Sequence, residues 1–134
     1  CPRKKMPIRH THPLRPTVAG GAAAAREWMQ RRTSAVIAHN DLMAMGFMIA
    51  VKSVGIEVPR DVSVVGTDNI FMSALFTPAL TTVTTSRNTQ GKLAFNQLLE
   101  QLRHQHRDTG HLTTSIAMKL VERDSTAQVP SLHR

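Results

Sequence analysis

The sequence predicts an α/β fold organised around a parallel β-sheet. Two short apolar runs, at 35–38 and 62–65, flank a helical segment at 41–54. A run rich in β-branched residues follows at 80–85. Apolar runs of this length are typical of strands that are buried on both faces of a sheet. Two strands joined through a helix run parallel, and such crossovers are right-handed. We therefore expect a parallel sheet with helices on both faces.

Composition limits the class of protein. The chain has 134 residues, of which 41% are hydrophobic, and this is enough for one domain with a core. Its single cysteine, Cys1, is terminal, so no intrachain disulfide can form, which favours a reducing compartment. No secretory signal is visible, and the longest apolar run, at 42–51, is too short to span a bilayer. The sequence predicts a cytoplasmic protein without a membrane span.

The formal net charge of +8 is unevenly distributed. Residues 1–16 carry five basic side chains and no acidic one, whereas the remainder is nearly balanced. Aromatic residues make up only 4% of the chain, too few for a surface that stacks single-stranded nucleic acid. We expect 1–16 to be a basic, solvated tail rather than a DNA-binding arm.

The first two predicted helices have clear start and stop signals. An alanine run favours a helix at 20–30, and its two leading glycines mark a helix start, since no strand precedes them. The second helix, 41–54, has Asp41 in its first turn and Gly55 just past its end. This helix is apolar on nearly all sides, so one side must cover the sheet and the other must meet a further helix or a second subunit. We expect a second subunit.

The rest of the chain alternates irregular and regular segments. Residues 70–80 are apolar but irregular. An amphipathic helix is predicted at 88–103, capped by Asn88 or Thr89, with an apolar stripe formed by Ala94, Phe95, Leu98, Leu99 and Leu102. A polar loop at 104–111 precedes a last strand at 115–121.

The histidines do not form a convincing metal site. His10 and His12 have no cysteine or carboxylate nearby to complete a ligand set. The remaining candidates are expected to be exposed loop residues: His104, His106 and His111. The sequence also lacks a nucleophile elbow, a phosphate-binding loop and a metal-binding helix pair. It therefore predicts no metal, no cofactor and no catalytic residues.

Polar side chains follow both strands of the central unit. Residues 39–41 come after the first strand and 67–69 after the second, so both groups reach the carboxyl edge, where α/β sheets bind ligands. Carboxylate and amide groups there suit the hydroxyls and ring nitrogens of a small polar ligand. Asn and Asp after a strand are also ordinary caps and turn formers. That structural role fits Asp41 and Asn69 better than Asn40 and Asp68, which are the candidate ligand-binding residues. For these two, the residues alone favour ligand binding and a structural role about equally.

Five segments resemble the effector-binding half of the lactose/galactose repressor (LacI/GalR) family of bacterial transcription regulators. They are AHNDLMAMG at 38–46, VGIEVPRDVSVVGTDN at 54–69, FTPALTTV at 76–83, the helix at 88–103, and LVERDSTA at 120–127. The segments stand in family order and at family spacing over about residues 17–129. The resemblance implies a periplasmic-binding-protein-like fold, in which two α/β subdomains close around a sugar or a purine.

The resemblance also implies how the chain is divided. Residues 17–87 and 113–129 resemble the C-terminal subdomain, and 88–112 resemble a crossover helix and loop of the N-terminal subdomain. Residues 1–16 and 130–134 are left as tails. The implied fold is therefore incomplete, with one lobe and an orphan helix of the other.

The same resemblance implies roles for individual residues. Asn40 and Asp68 match positions that contact the effector, and Thr85 matches one where some members carry a longer polar side chain. Met45, Leu75 and Phe76 match positions at the interface of a homodimer.

The implied function is the effector-sensing, dimerising part of a repressor that binds a small sugar or a nucleoside or purine. It would reach operator DNA only through an N-terminal helix-turn-helix that is not among these residues. A periplasmic sugar-binding protein for transport shares the fold and is the alternative. A small α/β enzyme is disfavoured by the missing catalytic motifs.

Overall fold

The computed structural model describes residues 7–103 and 113–128, which form an α/β fold around one sheet. In chain order the elements are α1 (Val18–Gln30), β1 (Ala35–Ile37), α2 (Asp41–Ser53), β2 (Ser63–Thr67), α3 (Phe71–Leu75), β3 (Thr81–Thr84), α4 (Arg87–Arg103) and β4 (Lys119–Val121). The strand order is β1-β2-β3-β4. The first three strands are parallel and β4 is antiparallel to β3. The predicted parallel βαβ unit is confirmed.

Local signals set the ends of α1 and α2. The Thr17 hydroxyl accepts a hydrogen bond from the Gly20 amide at 3.2 Å and caps α1, which begins two residues earlier than predicted. Gly55, with φ of 78°, follows the end of α2 in the left-handed conformation that glycine adopts most readily. The predicted stop signal of this helix is confirmed.

Helix α1 packs closely against α2 because glycines stand at both contact points. A Cβ on Gly21 would overlap the carbonyl oxygen of Met43, and one on Gly46 would overlap that of Val18. Trp28 of α1 also meets Phe47 of α2 edge to face, with ring centroids 5.4 Å apart. The second side of α2 is therefore covered by a helix of the same chain. The expectation of a second subunit there was wrong.

Met45 belongs to this internal contact and is not part of an exposed patch. Its side chain is only 5% exposed and lies in the hydrophobic core with Phe47, Val64 and Leu80. Burying a side chain of this size contributes about 1.5–3 kcal/mol. The expectation that Met45 stands at a subunit interface is corrected accordingly.

The sheet is covered less completely than the apolar runs suggested. Helix α2 packs on β2, but the opposite face carries Ile37, which is 80% exposed, and the exposed Leu120. Strand β1 is thus not buried on both faces, although the predicted α/β fold with a mostly parallel sheet is confirmed. The short run 35–38 was a strand, but its burial was predicted wrongly.

Other boundaries also shift. The segment 70–80, predicted as irregular, contains the short helix α3. Helix α4 begins at Arg87, after Ser86, whose hydroxyl accepts from the Thr89 amide, so neither Asn88 nor Thr89 is its cap. Strand β4 is shorter than the predicted 115–121.

Helix α4 buries none of its residues. Phe95, Leu98 and Leu102 of its apolar stripe are exposed, and Leu99 is half-buried. The polar loop predicted at 104–111 lies outside the described residues, as do residues 1–6 of the predicted tail at 1–16 and the whole predicted tail at 130–134.

Candidate ligand site at the carboxyl edge of the sheet

The ends of β1 and β2 lie side by side. The Ala38 amide donates to the Val65 carbonyl at 2.8 Å, and the Thr67 hydroxyl donates to the Ala38 carbonyl at 3.3 Å. Residues 39–41 and 67–69 continue directly from these positions. The structure therefore brings both predicted polar groups to one edge.

Asn40 caps helix α2. Its Oδ1 accepts from the Met43 amide at 2.8 Å, and its Nδ2 donates to the Pro16 carbonyl at 3.1 Å. The capping role had been assigned to Asp41, so that assignment was wrong. An amide side chain offers two N–H donors and two acceptor lone pairs, and Asn40 therefore keeps one of each.

Asp41 is fully buried and joins three elements. Its Oδ2 accepts from the Ile70 amide at 2.9 Å and from the Ser73 hydroxyl at 2.5 Å. Its Oδ1 accepts from the Thr82 hydroxyl at 2.6 Å. A buried carboxylate is tolerated only where donors surround it, and such hydrogen bonds contribute about 1.5–3 kcal/mol each. Asp41 thus ties the start of α2 to α3 and β3.

Gly66 makes room for this carboxylate. A Cβ at Gly66 would overlap Oδ1 of Asp41 and would lie 2.9 Å from Cδ2 of Leu80. The glycine lies within β2, next to its last residue, and it carries no side chain to pack. The missing side chain at Gly66 lets the Asp41 carboxylate lie close to the backbone of β2.

Asp68 and Asn69 form a left-handed turn after β2. Their φ angles are 107° and 51°, a region that residues with a Cβ rarely adopt. The side chain of Asp68 is exposed, and its carboxylate has no hydrogen bond or ion pair within 7–103 and 113–128. Asn69 is half-buried and accepts from Nη2 of Arg123 at 2.7 Å. The assignment of Asn69 to the turn is confirmed.

Arg123 is a structural residue of the site that sequence reasoning missed. Its Nη1 donates to the Leu80 carbonyl at 2.7 Å while its Nη2 holds Asn69. Its own amide donates to the Thr81 hydroxyl at 2.9 Å. The segment LVERDSTA gave the family resemblance but no role for this arginine, because nothing local shows that the segment runs beside β3.

Thr85 follows β3 at the same edge and is half-buried. Its hydroxyl accepts from Nε2 of Gln90 in α4 at 2.8 Å. Thr85 is therefore already engaged by the first turn of α4.

A separate groove of about 700 Å³ lies at the other end of α2. It is mainly apolar, and its walls include Met48, Ile49, Lys52, Ile56, Phe76 and Pro78. Nearby, a hydrogen bond from Arg60 and the Glu57 amide hold the pKa of Asp61 below its ordinary value. This ion pair is exposed and stands apart from the carboxyl edge.

Neither a metal site nor a membrane-spanning helix is found in the described part of the chain. No three His, Cys, Asp or Glu side chains lie close enough there to hold a metal ion. No helix of that part is long and apolar enough to cross a membrane. His104, His106 and His111 lie outside the described residues.

Comparison with known proteins gives a consistent family. The sequence profile of the periplasmic binding protein-like domain matches residues 3–126, which includes most of the basic segment at 1–16. The HTH-type transcriptional repressor PurR of Edwardsiella ictaluri (strain 93-146) is 40% identical over 101 residues. The match covers 75% of this chain and 29% of PurR.

Solved structures agree with this match. A LacI family transcriptional regulator from Enterococcus faecalis V583 with bound ribose has a TM-score of 0.76 and 28% identity, covering 87% of this chain and 43% of that one. The lac repressor dimer bound to operator and the anti-inducer ONPF has a TM-score of 0.73 and 28% identity, covering 84% and 39%. The chain thus spans less than half the length of each of these relatives.

Proposed function

Because this chain belongs to the LacI/GalR family of periplasmic binding protein-like regulators, we propose that it forms the effector-sensing part of a transcription repressor. The observation that carries the proposal is that β1 and β2 end side by side, which puts Asn40 and Asp68 at one edge of the sheet. Asp68 presents an exposed carboxylate there from a left-handed turn. The proposed effector is a small sugar or a nucleoside or purine.

The chemistry of the edge suits such a ligand. An ionised carboxylate only accepts hydrogen bonds, and it accepts them strongly from adjacent hydroxyls or a ring N–H. Asn40 adds its remaining donor and acceptor. Thr85 contributes only if the ligand displaces Gln90 from its hydroxyl. The ribose bound to the Enterococcus faecalis regulator supports a sugar as the first ligand to test.

The chain provides one lobe of the site in this proposal. Residues 88–112 would belong to an N-terminal subdomain, and the exposed apolar stripe of α4 supports this, since such stripes normally lie against another element. The effector would then be enclosed only when the second lobe closes over the edge.

The proposed homodimer interface is centred on α3. Leu75 is 61% exposed, and Phe71, Met72 and Ile49 are also exposed. Phe76 is half-buried and lines the same groove as Ile49. Large apolar side chains grouped in this way mark an interaction surface. The lac repressor relative is a dimer.

The repressor is favoured over the transport protein because the curated relative is a repressor. As part of such a regulator, the chain would act in the cytoplasm, would catalyse no reaction, and would reach operator DNA through a separate helix-turn-helix.

The experiment is a calorimetric titration of the chain completed with the N-terminal subdomain of a relative. A panel of sugars, nucleosides and purine bases should contain a ligand that binds. Asp68→Ala should then weaken binding by about tenfold or more, because a buried ligand donor loses its acceptor. The matched control is Asp124→Ala, an exposed aspartate beside Ala79 at the opposite edge. Equal effects of the two substitutions would contradict the proposal.

A further inference from the structure

Three consecutive backbone amides of the turn after β2 are held by two elements, two of them by β3 and one by α2. The Asp68 amide donates to the Val83 carbonyl at 2.9 Å, and the Asn69 amide donates to the Thr82 hydroxyl at 3.3 Å. The Ile70 amide donates to Oδ2 of Asp41 at 2.9 Å. Few degrees of freedom remain for this segment.

The last two of these hydrogen bonds both depend on Asp41, one directly and one through Thr82. The Thr82 hydroxyl donates to Oδ1 of Asp41, which leaves its lone pairs to accept from the Asn69 amide. Asp41 therefore orients Thr82 and binds Ile70 directly. Both side chains are fully buried, so water does not compete for these bonds.

The backbone they hold is unfavourable by itself. Asp68 and Asn69 both have positive φ, and such conformations persist in residues with a Cβ only where the surroundings impose them. The result is that the Asp68 carboxylate stands exposed at the edge, whereas the neighbouring Asn69 side chain is turned to Arg123.

We propose that Asp41 and Thr82 are positioning residues that impose the left-handed turn and thereby present Asp68 to the effector. The purpose of the turn rests on the proposed function, but its dependence on Asp41 and Thr82 does not. If Asp41 served only to anchor α3, its hydrogen bond from the Ser73 hydroxyl would suffice. The φ angles at 68 and 69 would then not depend on Asp41.

The test uses NMR on the 134-residue chain. A positive φ brings the amide and α protons of one residue close together, so Asp68 and Asn69 should show strong intraresidue NOEs. A scalar coupling through the hydrogen bond should connect the Ile70 nitrogen to the Asp41 carboxyl carbon. Weak NOEs or a missing coupling in the unmodified chain would overturn the proposal without any variant.

Substitutions then separate positioning from general stability. Thr82→Val keeps the shape but removes the hydroxyl, so the strong NOEs at 68 and 69 should be lost, and Thr82→Ser should restore them. The control is Ser125→Ala, which removes two buried hydrogen bonds elsewhere in the sheet, to Val64 and Thr81. Loss of the NOEs in Ser125→Ala, or their persistence in Thr82→Val, would refute the positioning role.

Titration with D-ribose in the same samples distinguishes this inference from the proposed function. Shifts at Asp68 that disappear with the turn in Thr82→Val support both. Equal ribose shifts at Asp68 with and without the turn would overturn the presenting role. If ribose and the other ligands of the panel leave Asp68 unperturbed while the turn still depends on Thr82, the effector site is wrong and the positioning role stands.

Discussion

Gly66→Ala tests whether the Asp41 carboxylate organises the edge of the sheet. The new methyl group would overlap Oδ1 of Asp41 and would lie 2.9 Å from Cδ2 of Leu80. Moving the carboxylate disturbs its bond to Thr82 and displaces Oδ2 from Ile70 and Ser73. The addition of one methyl group should therefore lower the stability of the fold substantially.

The expected loss of stability combines two effects. Overpacking a well-packed core costs about 1–3 kcal/mol, and weakening one hydrogen bond to a buried charge costs about 1.5–3 kcal/mol. The free energy of unfolding should fall by roughly 2.5–6 kcal/mol, a large part of the 5–15 kcal/mol or so typical of a domain. Urea unfolding followed by circular dichroism measures this difference.

Two other glycines provide controls. Gly91 lies in α4 with nothing near its Cβ position, so Gly91→Ala should leave stability unchanged or raise it by about 1 kcal/mol. Gly55 also has open space but a positive φ, so Gly55→Ala should cost about 1–2 kcal/mol through the backbone alone. If Gly66→Ala costs no more than Gly55→Ala, Asp41 does not have the role assigned to it.

Two further predictions concern the subunit surface and the effect of pH. Leu75→Glu should release monomers in light scattering and change stability by only about 0.5 kcal/mol. Met45→Glu should instead cost more than about 3 kcal/mol, because it places a charge in the core. A dimer that survives Leu75→Glu would exclude α3 as the interface. The lowered pKa of Asp61 means that its ion pair with Arg60 stabilises the fold above the ordinary aspartate pKa and is lost as the pH falls through the lowered value. Arg60→Gln should raise this pKa toward the ordinary value in a carboxyl-carbon NMR titration, and an unchanged pKa would contradict the assignment.

The parallel unit was predictable because its signals are local. Two apolar runs, an acidic first turn and Gly55 specify strand, helix and stop within about one turn of their own positions. The carboxyl edge follows from the parallel direction of two strands joined through a helix, so its polar residues could be placed together from the sequence.

The role of Asp41 could not be predicted from the sequence. An aspartate in a first helical turn usually faces solvent, and nothing adjacent shows that this one faces the sheet. Its environment comes from Gly66, Ile70 and Thr82, which are distant in the chain. The cap was misassigned for the same reason, since Asn40 and Asp41 are both good N-terminal residues and only the register of α2 decides between them.

The burial of Met45 and the exposure of Ile37 also depend on distant partners. A helix that is apolar all round must be covered twice, but the pattern does not say by what. For α2, the covering element is α1, whose close approach requires Gly21 and Gly46. No comparable element covers Ile37 in the described part of the chain. The apolar run alone therefore led to a wrong prediction of its burial.

The most direct test of the account is a chemical-shift map of the isotope-labelled chain titrated with ribose and with the wider panel of sugars, nucleosides and purine bases. We predict weak binding, because one lobe supplies only part of the enclosing surface and a few hydrogen bonds contribute about 0.5–1.5 kcal/mol each. The perturbed amides should cluster at 38–41 and 67–70, and Asp68→Ala should abolish the effect. Micromolar binding by this chain alone would contradict the account. Perturbations centred on the groove around Met48 and Phe76 would contradict it as well.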